Sequence, residues 1–389
     1  MKILYFCNVH RSVPTELGVL KKVQAQCKIL INEGYEVFLA CLDDTSRYII
    51  LNSSNIQVYE FNISNINKLI RDKFIFSEIE DFIIKNNISI LYSRYSSYSL
   101  SAHYFYLNLK KKGVKCLLEI PTYPLSQRWT AVKQSLKRKK ILTAIIQILN
   151  SSVGSLGIYF FKNSIDRIVN NNGYDMIWDI PVIQITNGID VSSIPRRKHI
   201  YIKGKEKILV SSVANIARWH GFDRFIKGLH NYYKNKHKVE VYLELAGPGL
   251  EIEILKDLAV DLNVDKYVRF LGPTTGDALD ELYCRTDIGI SILGIHRNKM
   301  TTIDCLKSRE FCARQLPFIT QSAEKHFNDT TFALQFPSDE SAIDIEKVVS
   351  FYNEISDNNS ILDDLYTFAV DKCDWSVAFK NVVNYIKQI

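Results

Sequence analysis

Short apolar runs alternate with longer stretches of helical spacing along nearly the whole chain. Lys2–Cys7 reads as a first strand. The segment from Gly18 to Glu33 reads as a helix with Val19, Val23, Cys27, Leu30 and Ile31 on one face. Gly34 closes that helix, and Tyr35–Leu42 is the next strand. Ile56–Phe61, Ile88–Ser93, Val114–Glu119, Arg167–Val169 and Val182–Thr186 continue the series, with helical segments between them. Strands that alternate with helices predict a parallel sheet covered on both faces. The turn Asn187-Gly188-Ile189-Asp190 ends this half. The Ser-, Pro-, Lys- and Arg-rich stretch from Val191 to Glu206 then predicts a linker.

Beyond it the alternation restarts. Ile208–Val213, Val239–Ala246, Lys266–Leu271, Ile288–Leu293, Phe318–Thr320 and Phe332–Phe336 are apolar enough for strands, with helices from Gly221 and from near Leu250. No sequence repeat is visible, yet the architecture repeats. The expectation is an α/β chain of two doubly wound domains facing across a cleft, 1–193 and 194–375. An amphipathic helix at 376–389 is expected to pack back on the first domain.

Asp287 to Pro317 holds the densest candidate chemistry. A strand opens into a loop with Gly294, His296, Arg297 and Lys299, and a helix follows with Lys307 and Glu310 three apart, on one face. Ligands of such sheets sit beyond the carboxyl ends of the strands. Several cations and one carboxylate suit a ligand with a diphosphate at one end and hydroxyls near the other. The plainer alternative is a solvated loop with an i,i+3 ion pair.

Composition, 47% hydrophobic and 23% charged over 389 residues, fits globular material long enough for two domains. The eight cysteines lack C-x-x-C spacing, which predicts reduced thiols in a cytoplasmic protein and neither a disulfide framework nor a zinc site. MKILYFCNVH is too short for a signal h-region, and no window approaches the roughly 18 apolar residues of a membrane span. The net charge of +7 is one-sided: residues 1–190 carry 23 Lys and Arg against 15 Asp and Glu, the remainder 26 against 27. That asymmetry suggests an anionic partner for the first half, nucleic acid or a lipid surface.

A second candidate anion site is the loop Ala214-Asn215-Ile216-Ala217-Arg218-Trp219-His220-Gly221, which opens a helix with Asp223 and Arg224 in its first turn. Helix N-termini attract anions because their first amides lack partners and the dipole is positive there. Gly247-Pro248-Gly249 supplies another close-approach turn. The chain contains no G-x-G-x-x-G, no Walker A motif, no Asp-x-Asp metal clamp and no G-x-S-x-G elbow.

GVLKKVQAQCKILINEGYEV, NGID, VANIARWHGFDRFIKGL, LELAGPG, VRFLG and LKSREFCARQLPF occur in an order that resembles the glycosyl transferases group 1. These are retaining GT-B enzymes that move a sugar from a nucleotide donor. The resemblance spans nearly the whole chain and is closest to the bacterial polysaccharide branch (capsule, O-antigen or exopolysaccharide). It implies a GT-B fold, a nucleotide-sugar co-substrate in the second domain, an acceptor in the first, and no metal or other cofactor. Glu310 matches the second glutamate of the family's E-x7-E motif, which holds the donor ribose, and the first falls at Thr302. The family's diphosphate arginine and lysine correspond here to Asn215 and His220. The leaving-group role is therefore expected to be shared by Arg218, Arg297, Lys299 and Lys307 with His220. Gly221, Gly247, Gly249 and His296 complete the expected donor site.

In the first half, Glu119 and Arg94 stand at strand ends. Each either touches acceptor or donor sugar or merely caps its strand; His10 and Gly18 either line the cleft or are solvated. Arg128–Leu149 joins Lys133, Lys137, Arg138, Lys139 and Lys140 to an apolar run. It is either a helix lying on an anionic leaflet, which fits an acceptor on a polyprenyl-diphosphate lipid, or a core helix with a solvated basic end. Nucleic acid is disfavoured because the basic run has no interleaved aromatics. The expected protein is cytoplasmic, peripheral to the membrane at most. Two alternatives stay open: a GT-B sugar-nucleotide epimerase, and a catalytically silent subunit that binds nucleotide sugar.

Overall fold

A computed structural model describes residues 1–13, 16–43, 46–94, 99–121, 123, 160–171, 173–298 and 300–389. It divides into two compact units, Met1–Thr186 with Ala378–Ile389, and Asn187–Val377.

The first unit runs β1 (Lys2–His10), α1 (Leu17–Asn32), β2 (Glu36–Leu42), β3 (Arg47–Leu51), β4 (Gln57–Asn62), α2 (Arg71–Lys85), β5 (Ile90–Arg94), α3 (Leu100–Lys111), β6 (Lys115–Glu119), β7 (Arg167–Asn170), β8 (Met176–Ile177) and β9 (Ile180–Gln184). The sheet order is β4-β3-β2-β1-β5-β6-β7-β9-β8. From β2 to β9 the neighbours are parallel. Its central strands are buried on both faces, as the unbroken apolar runs predict. Two readings change here. Arg47–Leu51 was not expected as a strand, and β2-β3-β4 is an antiparallel meander where a parallel continuation was expected. Helix α1 buries Leu20, Val23, Cys27 and Leu30, so its apolar stripe is turned slightly from the expected one and also buries Gln26.

The second unit holds β10 (Lys207–Val213), α4 (Phe222–Tyr233), β11 (Glu240–Ala246), α5 (Ile252–Asp261), β12 (Val268–Gly272), α6 (Asp277–Arg285), β13 (Ile288–Ile290), α7 (Leu306–Arg314), β14 (Phe318–Gln321), β15 (Ala333–Phe336), α8 (Ile345–Asp357) and α9 (Ser360–Phe368). All of its strand pairs are parallel, in the order β12-β11-β10-β13-β14-β15. Numbered within the unit this is 3-2-1-4-5-6, the dinucleotide-fold order, whose ligand crevice opens where β10 and β13 send their chains to opposite sides. Phe222, Phe225, Ile226 and Leu229 seat α4 on the sheet. Each such side chain contributes about 1.5–3 kcal/mol on burial.

The expected linker is laid firmly on this unit. Buried Arg197 donates to the carbonyls of Gln315 and Thr286, and Tyr201 donates to that of Asp287 at 2.7 Å. Asp287, fully buried, receives Lys205 at 2.7 Å and His199 at 2.9 Å. Polar composition misled here because long cationic side chains bury their stems and bond with their heads. The last helix, α10 (Lys380–Lys387), belongs to the first unit. Asn381 donates to the Gln184 carbonyl, Lys387 pairs with Glu33 at 2.6 Å, and Arg167 lies over the Tyr385 ring.

Candidate active site

In the second unit, the expected residues gather at the carboxyl ends of β10 and β13. The β10 loop is braced first. Ile216 donates its amide to the Pro248 carbonyl at 2.6 Å, and a Cβ on Gly247 or Gly249 would meet the carbonyl oxygens of Ala214 or Ile216 at 2.0 or 2.1 Å. Those glycines therefore let two loops touch backbone to backbone. Gly221, with φ of 70°, starts α4 in the left-handed region, and a Cβ there would strike the Leu293 carbonyl carbon at 2.6 Å. Leu293 in turn donates to the His220 carbonyl, which fastens the β13 loop to the start of α4 and ends the strand at Ile290, short of the expected Leu293.

Lys307 stands in the first turn of α7, half-buried. Its Nζ lies 3.3 Å from Ser212 Oγ, near the end of β10, and 5.7 Å from the centre of the Phe222 ring. Desolvation draws its pKa below the usual lysine range, against the opposing pull of Cys305 and Glu324. His220 stacks on the other partner of that layer, Phe222, at 5.4 Å and 7°. Burial first, and the Lys307 charge second, push its pKa down to about 3. The ring is therefore neutral at physiological pH. Its Nδ1 accepts the Ala217 amide at 3.2 Å, so Nε2 carries the proton and is a hydrogen-bond donor. At the position where the family carries a lysine, His220 therefore offers an uncharged donor.

Glu310 lies one turn further along α7. Its Oε1 accepts Arg314 Nε at 2.9 Å, and Arg314 is itself fixed by Asp280 at 2.7 Å. Oε2 of Glu310 has no partner among the described residues. Arg218 and Asn215 are exposed on the β10 loop, beside exposed Trp219.

Arg297 is differently employed from the expected diphosphate role. Its guanidinium grips both Asp223 oxygens at 2.7 and 2.8 Å, takes Glu340 at 2.8 Å through Nε, and donates to the Arg218 carbonyl. His296 likewise donates to Glu340 at 2.9 Å. Arg224, fully buried, donates to the carbonyls of Leu293, Ser341 and Pro337. Those cations knit loops together, and their partners, distant in sequence, could not be seen from spacing. Lys299 and the Arg128–Leu149 stretch lie outside the described residues.

Sequence reasoning missed Glu324. This buried carboxylate sits just after β14 and takes the hydroxyls of Ser308 at 2.6 Å, Ser291 at 3.1 Å and Thr320, plus the Cys305 amide at 3.1 Å. The hints available were slight: Ser291 inside an apolar run, Thr320 at the end of another, and Ser308 in the first turn of a helix.

In the first unit, His10 ends β1 and Arg94 ends β5, the two strands from which the sheet extends in opposite directions. His10 faces the Asp43 carbonyl at 3.1 Å, and Gly18 lies exposed in the first turn of α1. Glu119 is buried at the end of β6. Lys22 at 2.8 Å, Arg94 at 2.6 Å, and the hydroxyls of Tyr92 at 2.8 Å and Tyr5 at 3.3 Å surround it. Burial alone would raise its pKa, but Lys22 and Arg94 outweigh that and hold it at about 2. A carboxylate so held is a fixed anion and a poor proton acceptor.

No protein-family model and no curated protein matches the chain. Solved structures do. A glycosyltransferase from Rickettsia africae is similar at 13% identity with a TM-score of 0.60, covering 100% of this chain and 98% of that one. Anabaena HepE in complex with UDP gives 11%, 0.58, and 100% of both chains. The fold is GT-B. The lipopolysaccharide outer core galactosyltransferase WaaB, in its apo form, gives 12% and 0.56 over 100% of this chain and 99% of that one. The β10–β13 crevice lies at the switch point of the second unit's strand order, where open α/β sheets take their ligands.

Proposed function

We propose that this chain is a glycosyltransferase that takes a nucleotide sugar in its second unit and passes the sugar to a saccharide acceptor held by the first. The observation that carries the reading is the half-buried Lys307 ammonium beside Ser212, at the crevice between β10 and β13, with the neutral His220 N–H in the same layer. Breaking a glycosyl–phosphate bond builds negative charge on the departing diphosphate. A positioned cation and a fixed donor stabilise that charge where water is scarce. Exposed Arg218 supplements them, and the open oxygen of Glu310 is offered to a ribose hydroxyl. The proposed course is retaining, with the departing phosphate oxygen assisting the acceptor's proton, so no pair of carboxylates is needed. Glu119 then positions Lys22 and Arg94, and Arg94, His10 and Gly18 meet the acceptor. No metal or further cofactor is assigned a step.

The finer reading is an acceptor on a polyprenyl-diphosphate lipid in the synthesis of a bacterial surface glycan, with Arg128–Leu149 against the anionic inner leaflet. A silent nucleotide-sugar-binding subunit is the second reading, favoured by the exposed Asn215 and by the employment of Arg297 and Arg224 elsewhere. A thermal-shift screen of nucleoside diphosphates and nucleotide sugars tests the shared premise, because a ligand of the native state raises Tm. Donor turnover with a lipid-linked acceptor then separates the two. Release of nucleoside diphosphate supports transfer, binding without release supports the silent subunit, and no shift with any nucleotide overturns both.

A further inference from the structure

Helix α7 is poorly started by its own sequence. Its N-cap residue is Cys305, which provides no side-chain hydrogen bond, and its first turn contains no acidic residue. That first turn instead carries a cation, Lys307, which the positive end of a helix dipole disfavours. The compensation comes from elsewhere in the chain. Glu324 reaches under the helix, and its Oε1 accepts the Cys305 amide at 3.1 Å. Its Oε2 collects Ser308 Oγ from α7 at 2.6 Å, Ser291 Oγ from beyond β13 at 3.1 Å, and Thr320 Oγ1 from β14. One buried carboxylate thus joins two strand tips to the start of α7. It has no ion pair among the described residues, and a buried carboxylate is retained only when hydrogen-bonded this fully.

We propose that Glu324 is a positioning residue: it fastens the first turn of α7 to the ends of β13 and β14 and so holds the Lys307 ammonium at the end of β10, toward an anionic ligand. The inference rests on the reading of that crevice as the donor site. Two consequences follow from the geometry. The carboxylate cannot reach a ligand itself, because its oxygens are taken up beneath the helix. Its negative charge also supports the protonated state of Lys307, which burial opposes. The titratable and charged groups facing this pair are Cys305 at the cap of α7, Cys312 on α7 and His220 before α4, each feeling the charge of Glu324 or Lys307. Of these, His220 stays neutral down to about pH 3 and burial raises both thiols, whereas burial lowers the Lys307 ammonium, so Lys307 is the group expected to respond first as the pH rises.

The test uses Glu324→Gln, which keeps the shape and one acceptor oxygen while removing the charge. Glu324→Ala is the harsher second variant. UDP and GDP binding is followed by calorimetry from about pH 7 to 10, beside the titration of Lys307 read by NMR of 13Cε-labelled lysine in the unliganded protein. Glu324→Gln is expected to weaken nucleoside diphosphate binding about tenfold at pH 7. It is also expected to move both the alkaline fall in affinity and the Lys307 midpoint to lower pH by about one unit. A Lys307 midpoint unchanged in Glu324→Gln overturns the inference. So does an equal loss of affinity at every pH accompanied by a lower Tm, which would make Glu324 a core residue only. If the parent protein binds neither nucleotide, the donor-site reading falls, and the Lys307 titration still decides whether Glu324 governs that lysine.

Discussion

Replacing Lys307 with Met separates what this residue does for a ligand from what it does for the fold. The methionine side chain keeps most of the lysine stem's volume and removes the ammonium now held 3.3 Å from Ser212 Oγ. Two unit charges about 4 Å apart attract by about 4 kcal/mol at an effective dielectric constant of about 20. Hydration lost by the ammonium and the phosphate offsets part of this, and charged hydrogen bonds measured in proteins retain about 1.5–3 kcal/mol. The dissociation constant for a nucleoside diphosphate should therefore rise by roughly 10- to 150-fold. The unliganded protein should respond differently. A cation in the first turn opposes the helix dipole by about 0.3–1 kcal/mol, while its contact with the Phe222 ring contributes about 0.5–1 kcal/mol. These nearly cancel, so Lys307→Met should match the parent in urea unfolding to within about 1 kcal/mol. Calorimetric titration with UDP and GDP supplies the other half of the comparison. Affinity unchanged to within about threefold would refute the placement of the diphosphate beside Lys307, and so would an affinity loss that merely tracked a large loss of stability.

Nucleoside diphosphate affinity should show no inflection from pH 5 to 8 attributable to His220, since its pKa lies near 3, and 15N NMR should find the Nε2-protonated neutral ring. Glu119→Gln should cost several kcal/mol, about 3–5 by analogy with other broken buried pairs, because Lys22 and Arg94 are left uncompensated; denaturation curves at pH 7 measure it. Because the folded pKa of Glu119 is depressed to about 2, its contribution is present above about pH 5 and is lost as pH falls toward 2, and the variant's acid-unfolding curve should flatten there. Arg224→Met strands the carbonyls of Leu293, Pro337 and Ser341, each costing about 1–3 kcal/mol, so the second unit should melt well below the parent in a thermal scan.

Much of the architecture was legible because parallel sheets bury both faces, and the resulting apolar runs need no long-range information to be seen. The hairpin at β3–β4 also leaves a mark in the sequence, the Asn52-Ser53-Ser54-Asn55 turn between two runs rich in apolar residues. Asn55 there adopts φ of 61°, a conformation asparagine tolerates. Within the site, Lys307 and His220 were legible from their place after strands. The fates of Arg297 and Arg224 were not, because each is decided by partners 43 to 117 positions away. The protonation state of His220 was also beyond sequence, since it depends on burial and on a lysine from another helix.

The reversal of direction at β2 has a consequence for how the first sheet meets other chains. Any edge strand, parallel or antiparallel, presents bare amides and carbonyls to a passing extended segment, and the meander decides which strand that is. Here the outermost strand, β4, shows solvent Gln57, Glu60 and Asn62, and Arg47 clamps Glu60 at 2.9 Å. Charge and hydration thus seal the margin. Clipping this border away would bare β2, EVFLACL, an apolar edge open to self-association.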